Sequence, residues 1–232
     1  MWFCWKCQSR YPVHRAWCAV CQDAGTIAIE PVRPQAHMRT ELQVASARDL
    51  VARKWTTVES RAYPELLVSR GALVALWGQA GGGKSTLATR YVDGLRGAVV
   101  YFSAEEKLGP TLAARLERCG VRRADFHAVG QASVDELVTY CREVRAVALV
   151  VDSIPMTSFR PEDLRRLLEA CGVDVLVYVL HATKENAAAG LNAYLHEADV
   201  VVEVSALAWT VRKSRYQATD GTARAVVHTV SE

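Results

Sequence analysis

The sequence predicts an α/β fold with a mostly parallel central sheet and a P-loop, preceded by a small N-terminal four-Cys zinc finger. From about residue 71, apolar runs of strand length alternate with segments of helical spacing. Runs with no polar alternation are strands covered on both faces. Gly78-Gln79-Ala80-Gly81-Gly82-Gly83-Lys84-Ser85-Thr86 reads G-x-x-x-x-G-K-S between an apolar run and a helical segment, the setting a phosphate-binding loop requires. Cys4-x-x-Cys7 and Cys18-x-x-Cys21 are separated by ten residues, so four thiolates can wrap one tetrahedral Zn²⁺.

The 232 residues suffice for one α/β domain and a small appendage, and a 50% hydrophobic content supports a sizeable core. A net charge of +3 neither demands nor excludes nucleic acid, so any basic surface must be local. Cys4, Lys6, Cys7 and Arg10 interrupt the start, where a signal peptide would need an apolar run. No apolar stretch approaches a membrane span, so a cytoplasmic protein with no membrane partner is expected.

In chain order, residues 1–28 form the expected finger. Trp2, Phe3, Trp5, Tyr11 and Trp17 crowd it, open to covering the metal, contacting a neighbour or stacking on bases. So small a unit has little core, and metal binding would supply its folding energy. His14 is surplus to a four-Cys site. Residues 29–60 read as a linker, with Pro31 and Pro34 extended and 41–51 weakly helical. Residues 61–232 form the expected core. Strands are read at 72–77, 97–103, 125–129, 146–152 and 173–180, a hairpin at 199–205 and 208–212, and a last strand at 225–230. Helices are read from Gly109 to a stop at Gly120, from the Ser133-x-x-Glu136 capping box to about Val144, and from Pro161 to a stop at Gly172. Cys119, Cys141 and Cys171 fall in these helices as core thiols.

The chemistry gathers at strand ends. The P-loop glycines admit φ > 0 and bring backbone N–H groups to an anion, where the helix N-terminus adds partial positive charge. Lys84 would reach the β- and γ-phosphates of ATP, and the Ser85 hydroxyl would ligate Mg²⁺. Asp152 closes the most apolar strand and suits the Walker B role on the same Mg²⁺. Glu105 and Glu106 follow the strand ending at Ser103. Either could activate water, or the pair could simply cap the next helix.

Taken in order, these motifs resemble the RadA/Sms family of bacterial DNA-repair ATPases. Tyr101-Phe102-Ser103-Ala104-Glu105-Glu106 resembles that family's Y-V-S-G-E-E, and Val150-Val151-Asp152-Ser153-Ile154 its V-V-D-S-[IV]. His181-Ala182-Thr183-Lys184-Glu185 with Ala189-Gly190 is similar to H-V-T-K-E-G-x-I-A-G. Leu195-His196-Glu197-Ala198-Asp199 is similar to L-E-H-M-V-D, and Arg212-Lys213-Ser214-Arg215-Tyr216 to K-N-R-F-G. The finger spacing also agrees.

The resemblance implies a RecA-like P-loop NTPase core and ATP hydrolysis stimulated by single-stranded or branched DNA in repair or recombination. It extends to branch migration and a recombinase partner. Glu105 takes the catalytic role over Glu106. His181 and Lys184 would sense the γ-phosphate or couple it to DNA. Lys213 and Arg215 would enter the ATP site of the next subunit in a ring, a hexamer. DNA contacts would come from 155–160, with Phe159 stacking on a base and Arg160 on a phosphate, and from 184–190. The family's Lon-protease-like C-terminal domain is not matched, so a short form is expected. Gln217 replaces the glycine after K-N-R-F, and Tyr63-Pro64-Glu65-Leu66-Leu67 replaces a glycine-rich turn. Two other readings stay open: a nucleotide-gated DNA-binding or loading protein with little hydrolysis, and a P-loop kinase, for which neither an acceptor pocket nor an Arg-rich lid is visible.

Overall fold

A parallel sheet buried on both faces dominates the computed structural model, which describes residues 2–4, 10–11, 27–29, 44–182, 189–217, 219, 221–222 and 224–226. The chain divides into two units, Met1–Arg53 and Lys54–Glu232.

In the first unit, β1 (Trp2–Cys4) pairs antiparallel with β2 (Arg10–Tyr11) and β3 (Ile27–Ile29). Cys7, Cys18 and Cys21 lie outside the described residues. The weak helix read over 41–51 is described only as α1 (Ala47–Ala52), where the Ser46 side chain accepts from the Asp49 amide as N-cap.

The second unit takes in residues 54–60, read from sequence as linker, because β4 (Thr57–Val58) pairs with β5 (Val68–Ser69). The main sheet then follows: β6 (Ala72–Gly78), β7 (Val99–Ser103), β8 (Phe126–Val129), β9 (Ala148–Asp152), β10 (Val175–His181), β11 (Val200–Ser205), β12 (Ala208–Ser214) and β13 (Arg224–Ala225). Its order is β13-β12-β11-β6-β10-β9-β7-β8. From β11 to β8 every neighbouring pair is parallel, and β12 and β13 add on antiparallel. The last strand, read as 225–230, is described only at Arg224–Ala225.

Period-two alternation sorts the strands into two cores. Val74, Leu76, Val99, Tyr101, Val150 and Val177 face one side, shared with Leu87 and Tyr91 of α2 (Lys84–Asp93) and Leu112 of α3 (Pro110–Cys119). Leu73, Ala75, Val100, Leu149, Val151 and Leu176 face the other. They pack with Leu137 of α4 (Val134–Glu143) and with Leu164, Leu167 and Leu168 of α5 (Pro161–Cys171). At roughly 1.5–3 kcal/mol for each such side chain removed from water, this two-sided burial explains why the strands read as unbroken apolar runs. Cys141 and Cys171 are buried in the second core as expected.

Local signals hold where the sequence put them. Gly120 and Gly172 end α3 and α5 in the left-handed conformation, at φ 75° and 70°. Ser133 and Glu136 form the reciprocal capping box of α4. After α5 and β10 the chain resumes with α6 (Ala189–Glu197), so Ala189 and Gly190 belong to a helix.

Candidate functional site

Gly78 ends β6 with φ 147°, and a Cβ added there would lie 2.1 Å from the Val204 carbonyl oxygen of β11. Only glycine lets the chain leave the sheet so close to its neighbour. Gly83 is the N-cap of α2 with φ 99° and offers no side chain to the helix. The first-turn N–H groups of α2 are thus left for an outside acceptor, a fit for an anionic phosphate. The Lys84 Nζ donates to the carbonyls of Gly78 (2.9 Å) and Gln79 (2.7 Å). Burial lowers the Lys84 pKa, while Asp152 and Glu105 pull the other way.

The parallel strands bring Gly78, Ser103, Asp152 and His181 to one sheet edge, at the C-terminal ends of β6, β7, β9 and β10. Ser85 Oγ donates to Asp152 Oδ1 at 2.9 Å. A hydroxyl and a carboxylate oxygen this close, at an open helix N-terminus, form a donor set suited to Mg²⁺. Tyr101 donates to Asp152 Oδ2 at 2.7 Å. Its phenol is driven well above its ordinary pKa by burial and then by the Asp152 charge, so it stays a donor. Ser153, next along, holds φ 76° without being glycine.

Two of the sequence candidates meet here: His181 Nε2 lies 3.5 Å from Glu105 Oε2, and Glu105 is over half exposed. Glu106 has a different environment. Its Oε2 is 2.9 Å from NH2 of Arg115, and the same NH2 is 3.0 Å from Asp152 Oδ2. Sequence reasoning missed Arg115. Burial disfavours its charge, but Tyr101, Asp152 and Glu106 outweigh that and raise its pKa. The available signal was spacing: Arg115 stands three residues after Leu112, on the helix face that α3 buries.

Lys213 and Arg215 are not brought to this edge in their own chain. The β11–β12 register pairs Val201 with Lys213 and Val200 with Ser214, level with Ala75 and Val74 in the middle of β6 rather than at its P-loop end. The Lys213 Nζ donates to the carbonyls of Leu195 (3.2 Å) and His196 (2.8 Å) at the end of α6, and Arg215 NH1 is 2.8 Å from Asp199 Oδ1.

The stacking role expected of Phe159 is corrected. Its ring is buried, 6.4 Å between centroids from that of Phe102, because the apolar core competes for it. Arg160 is exposed and paired with Glu162 and Asp163. Residues 183–188, including Lys184, lie outside the described residues. Among the described residues no group of His, Cys, Asp and Glu forms a metal site, and no helix is long and apolar enough to cross a membrane.

The fold and this edge define an α/β protein with a P-loop at the C-terminal edge of a largely parallel sheet. No protein-family model matches the chain, and no curated protein matches it. Among solved structures it is similar to the KaiC-like protein PH0186 from the hyperthermophilic archaeon Pyrococcus horikoshii OT3, at 21% identity and a TM-score of 0.54, over 73% of this chain and 94% of that one. At this identity the likeness bears on the fold.

Proposed function

We propose that this chain is a RecA-like, DNA-stimulated ATPase of repair or recombination, with its ATP sites shared between subunits of a hexameric ring. The observation that carries the nucleotide part is the 2.9 Å contact of Ser85 Oγ with Asp152 Oδ1, in front of a P-loop helix whose N-cap is glycine. Bound Mg–ATP would supply a polarised terminal phosphoryl group. The residues of the chain divide the remaining work. Gly78 to Thr86 cradle phosphates with backbone N–H groups, and Lys84 turns from its carbonyl partners to an anion. Ser85 and Asp152 hold the metal. Glu105, exposed beside His181, takes the proton from water.

Among the described residues at the P-loop edge, the further cation beside Asp152 is Arg115, which two carboxylates already occupy. Lys213 and Arg215, away from this edge, serve the next subunit's site through a head-to-tail interface that closes on itself. Residues 155–160 and 184–190 follow strand ends at the same edge as the site and are the proposed route to DNA, with Arg160 rather than Phe159 as the contact in the first. The four cysteines hold Zn²⁺ in the N-terminal unit.

Phosphate release is measured with and without single-stranded DNA for Lys84→Ala, Arg215→Ala and their mixtures. Each variant alone is expected to be inactive, and mixtures should regain turnover where an interface carries both intact halves. No recovery at any ratio, with a monomeric mass by light scattering in ATP and DNA, removes the shared site. A phosphorylated acceptor with no free phosphate makes the protein a kinase instead.

A further inference from the structure

We propose that Arg115 is a positioning residue: its guanidinium sets which oxygen of Asp152 faces the metal position and withdraws Glu106, leaving Glu105 alone to act on water. Resting on the nucleotide-site reading above, this adds a residue and a division of labour between the two adjacent glutamates.

The two oxygens of Asp152 have different surroundings. Oδ1 accepts from Ser85, whereas Oδ2 accepts from Tyr101 at 2.7 Å and lies 3.0 Å from Arg115 NH2. The guanidinium carbon sits 5.4 Å from the Tyr101 ring centroid, so a cation–π contact and a charge hold Arg115 together. A buried arginine is rarely found without such partners. Its NH2 meets both carboxylates at ion-pair distance without hydrogen-bond alignment, and Nε also lacks a hydrogen-bond partner. The group is thus held by charge and by an aromatic face, with both carboxylates on one nitrogen.

The charge balance gives this arrangement a use. One guanidinium held against Asp152 Oδ2 and Glu106 keeps those oxygens occupied, so Oδ1 is the oxygen left facing Ser85. Without Arg115, two carboxylates would stand unbalanced beside incoming phosphates, and Asp152 could turn Oδ2 toward the metal. Lysine preserves the charge but lacks the planar guanidinium that lies against the Tyr101 ring, so it restores the contact only in part.

The test is binding of a fluorescent ATP analogue to wild type, Arg115→Gln and Arg115→Lys, titrated with Mg²⁺ and compared with EDTA, alongside thermal midpoints. In EDTA the variants should bind within about twofold of wild type. Their Mg²⁺ requirement should rise, by at least about tenfold for Arg115→Gln and less for Arg115→Lys, the range seen when a residue behind a metal ligand is removed. An unchanged Mg²⁺ requirement, or an equal loss with and without Mg²⁺, overturns the inference by reducing Arg115 to an anchor for α3. If Arg115→Gln does not fold, Arg115→Lys decides by the same criterion. A wild-type chain that fails to bind Mg–ATP overturns the nucleotide-site reading and this inference together, whereas normal wild-type binding with an unaltered variant overturns only the inference.

Discussion

Arg215 is tied to Asp199: its NH1 lies 2.8 Å from Oδ1, and its own amide donates to the Asp199 carbonyl at 3.0 Å. The other carboxylate oxygen takes Arg165 NH2 at 3.0 Å and the Leu73 amide at 2.8 Å. One buried carboxylate therefore joins the start of β6, the middle of α5 and the chain just past β12. Arg215 itself is about half exposed, with a side-chain exposure of 51%, and can leave this contact at modest cost.

That asymmetry separates structure from function. Asp199→Asn removes a buried charge from between two arginines and should cost on the order of 3 kcal/mol, near the lower end for a broken buried pair because both arginines reach water. Arg215→Ala should cost less than about 1 kcal/mol while abolishing turnover. Urea unfolding midpoints check both. If Arg215→Ala lost as much stability as Asp199→Asn, Arg215 would be a structural residue.

Glu105→Gln should retain Mg–ATP binding and lose phosphate release by about 10²- to 10⁴-fold, the range for removing a general base. Lys84→Ala should lose ATP binding as well. Binding and turnover measured on the same preparations distinguish them. Wild-type turnover by Glu105→Gln would move the base elsewhere, and a wild type with negligible turnover but tight binding would favour the nucleotide-gated loader.

The two-residue turn joining β11 to β12 is Ala206-Leu207, both left-handed at φ 49° and 62°. Such a turn prefers Asn-Gly. Here the Leu207 amide donates to the Gly82 carbonyl at 3.2 Å, so the strained turn leans on the P-loop. Leu207 is mostly exposed and gives up little burial on replacement. Ala206→Asn with Leu207→Gly should raise stability by about 1 kcal/mol by relieving the backbone. Thermal midpoints test this, and a fall would mean that Leu207 packing near Gly83 outweighs the strain.

One Zn²⁺ per chain is expected in purified protein, held by Cys4, Cys7, Cys18 and Cys21, with Cys18→Ser losing it and the order of the N-terminal unit. Metal analysis and limited proteolysis test this together. Full zinc content in Cys18→Ser would show that the cysteines are not the ligands.

Much of the core was legible because its signals are local. The stops at Gly120 and Gly172 need only a left-handed residue after a helix, and the Ser133–Glu136 box closes within one turn. Phe159 was misread because an aromatic in a loop looks the same on paper whether it faces bases or Phe102. Arg115 went unnoticed because its partners, Asp152 and Glu106, are set by strand neighbours rather than by spacing along the helix.

The sequence by itself determined the alternation of strands and helices, the P-loop between β6 and α2, and the carboxylate ending β9, because period, glycine φ and strand length act over a few residues. Only the tertiary structure decided which groups meet. The order β11-β6-β10-β9-β7 is not the order of the chain, and it sets Asp152 beside Ser103 of β7 and within reach of Ser85, Tyr101 and Arg115. Lys213 falls at mid-sheet and Arg215 beyond it, away from the P-loop edge, because β12 runs antiparallel to β11. Charge and hydrogen bonding act through space, over distances that a linear sequence does not contain.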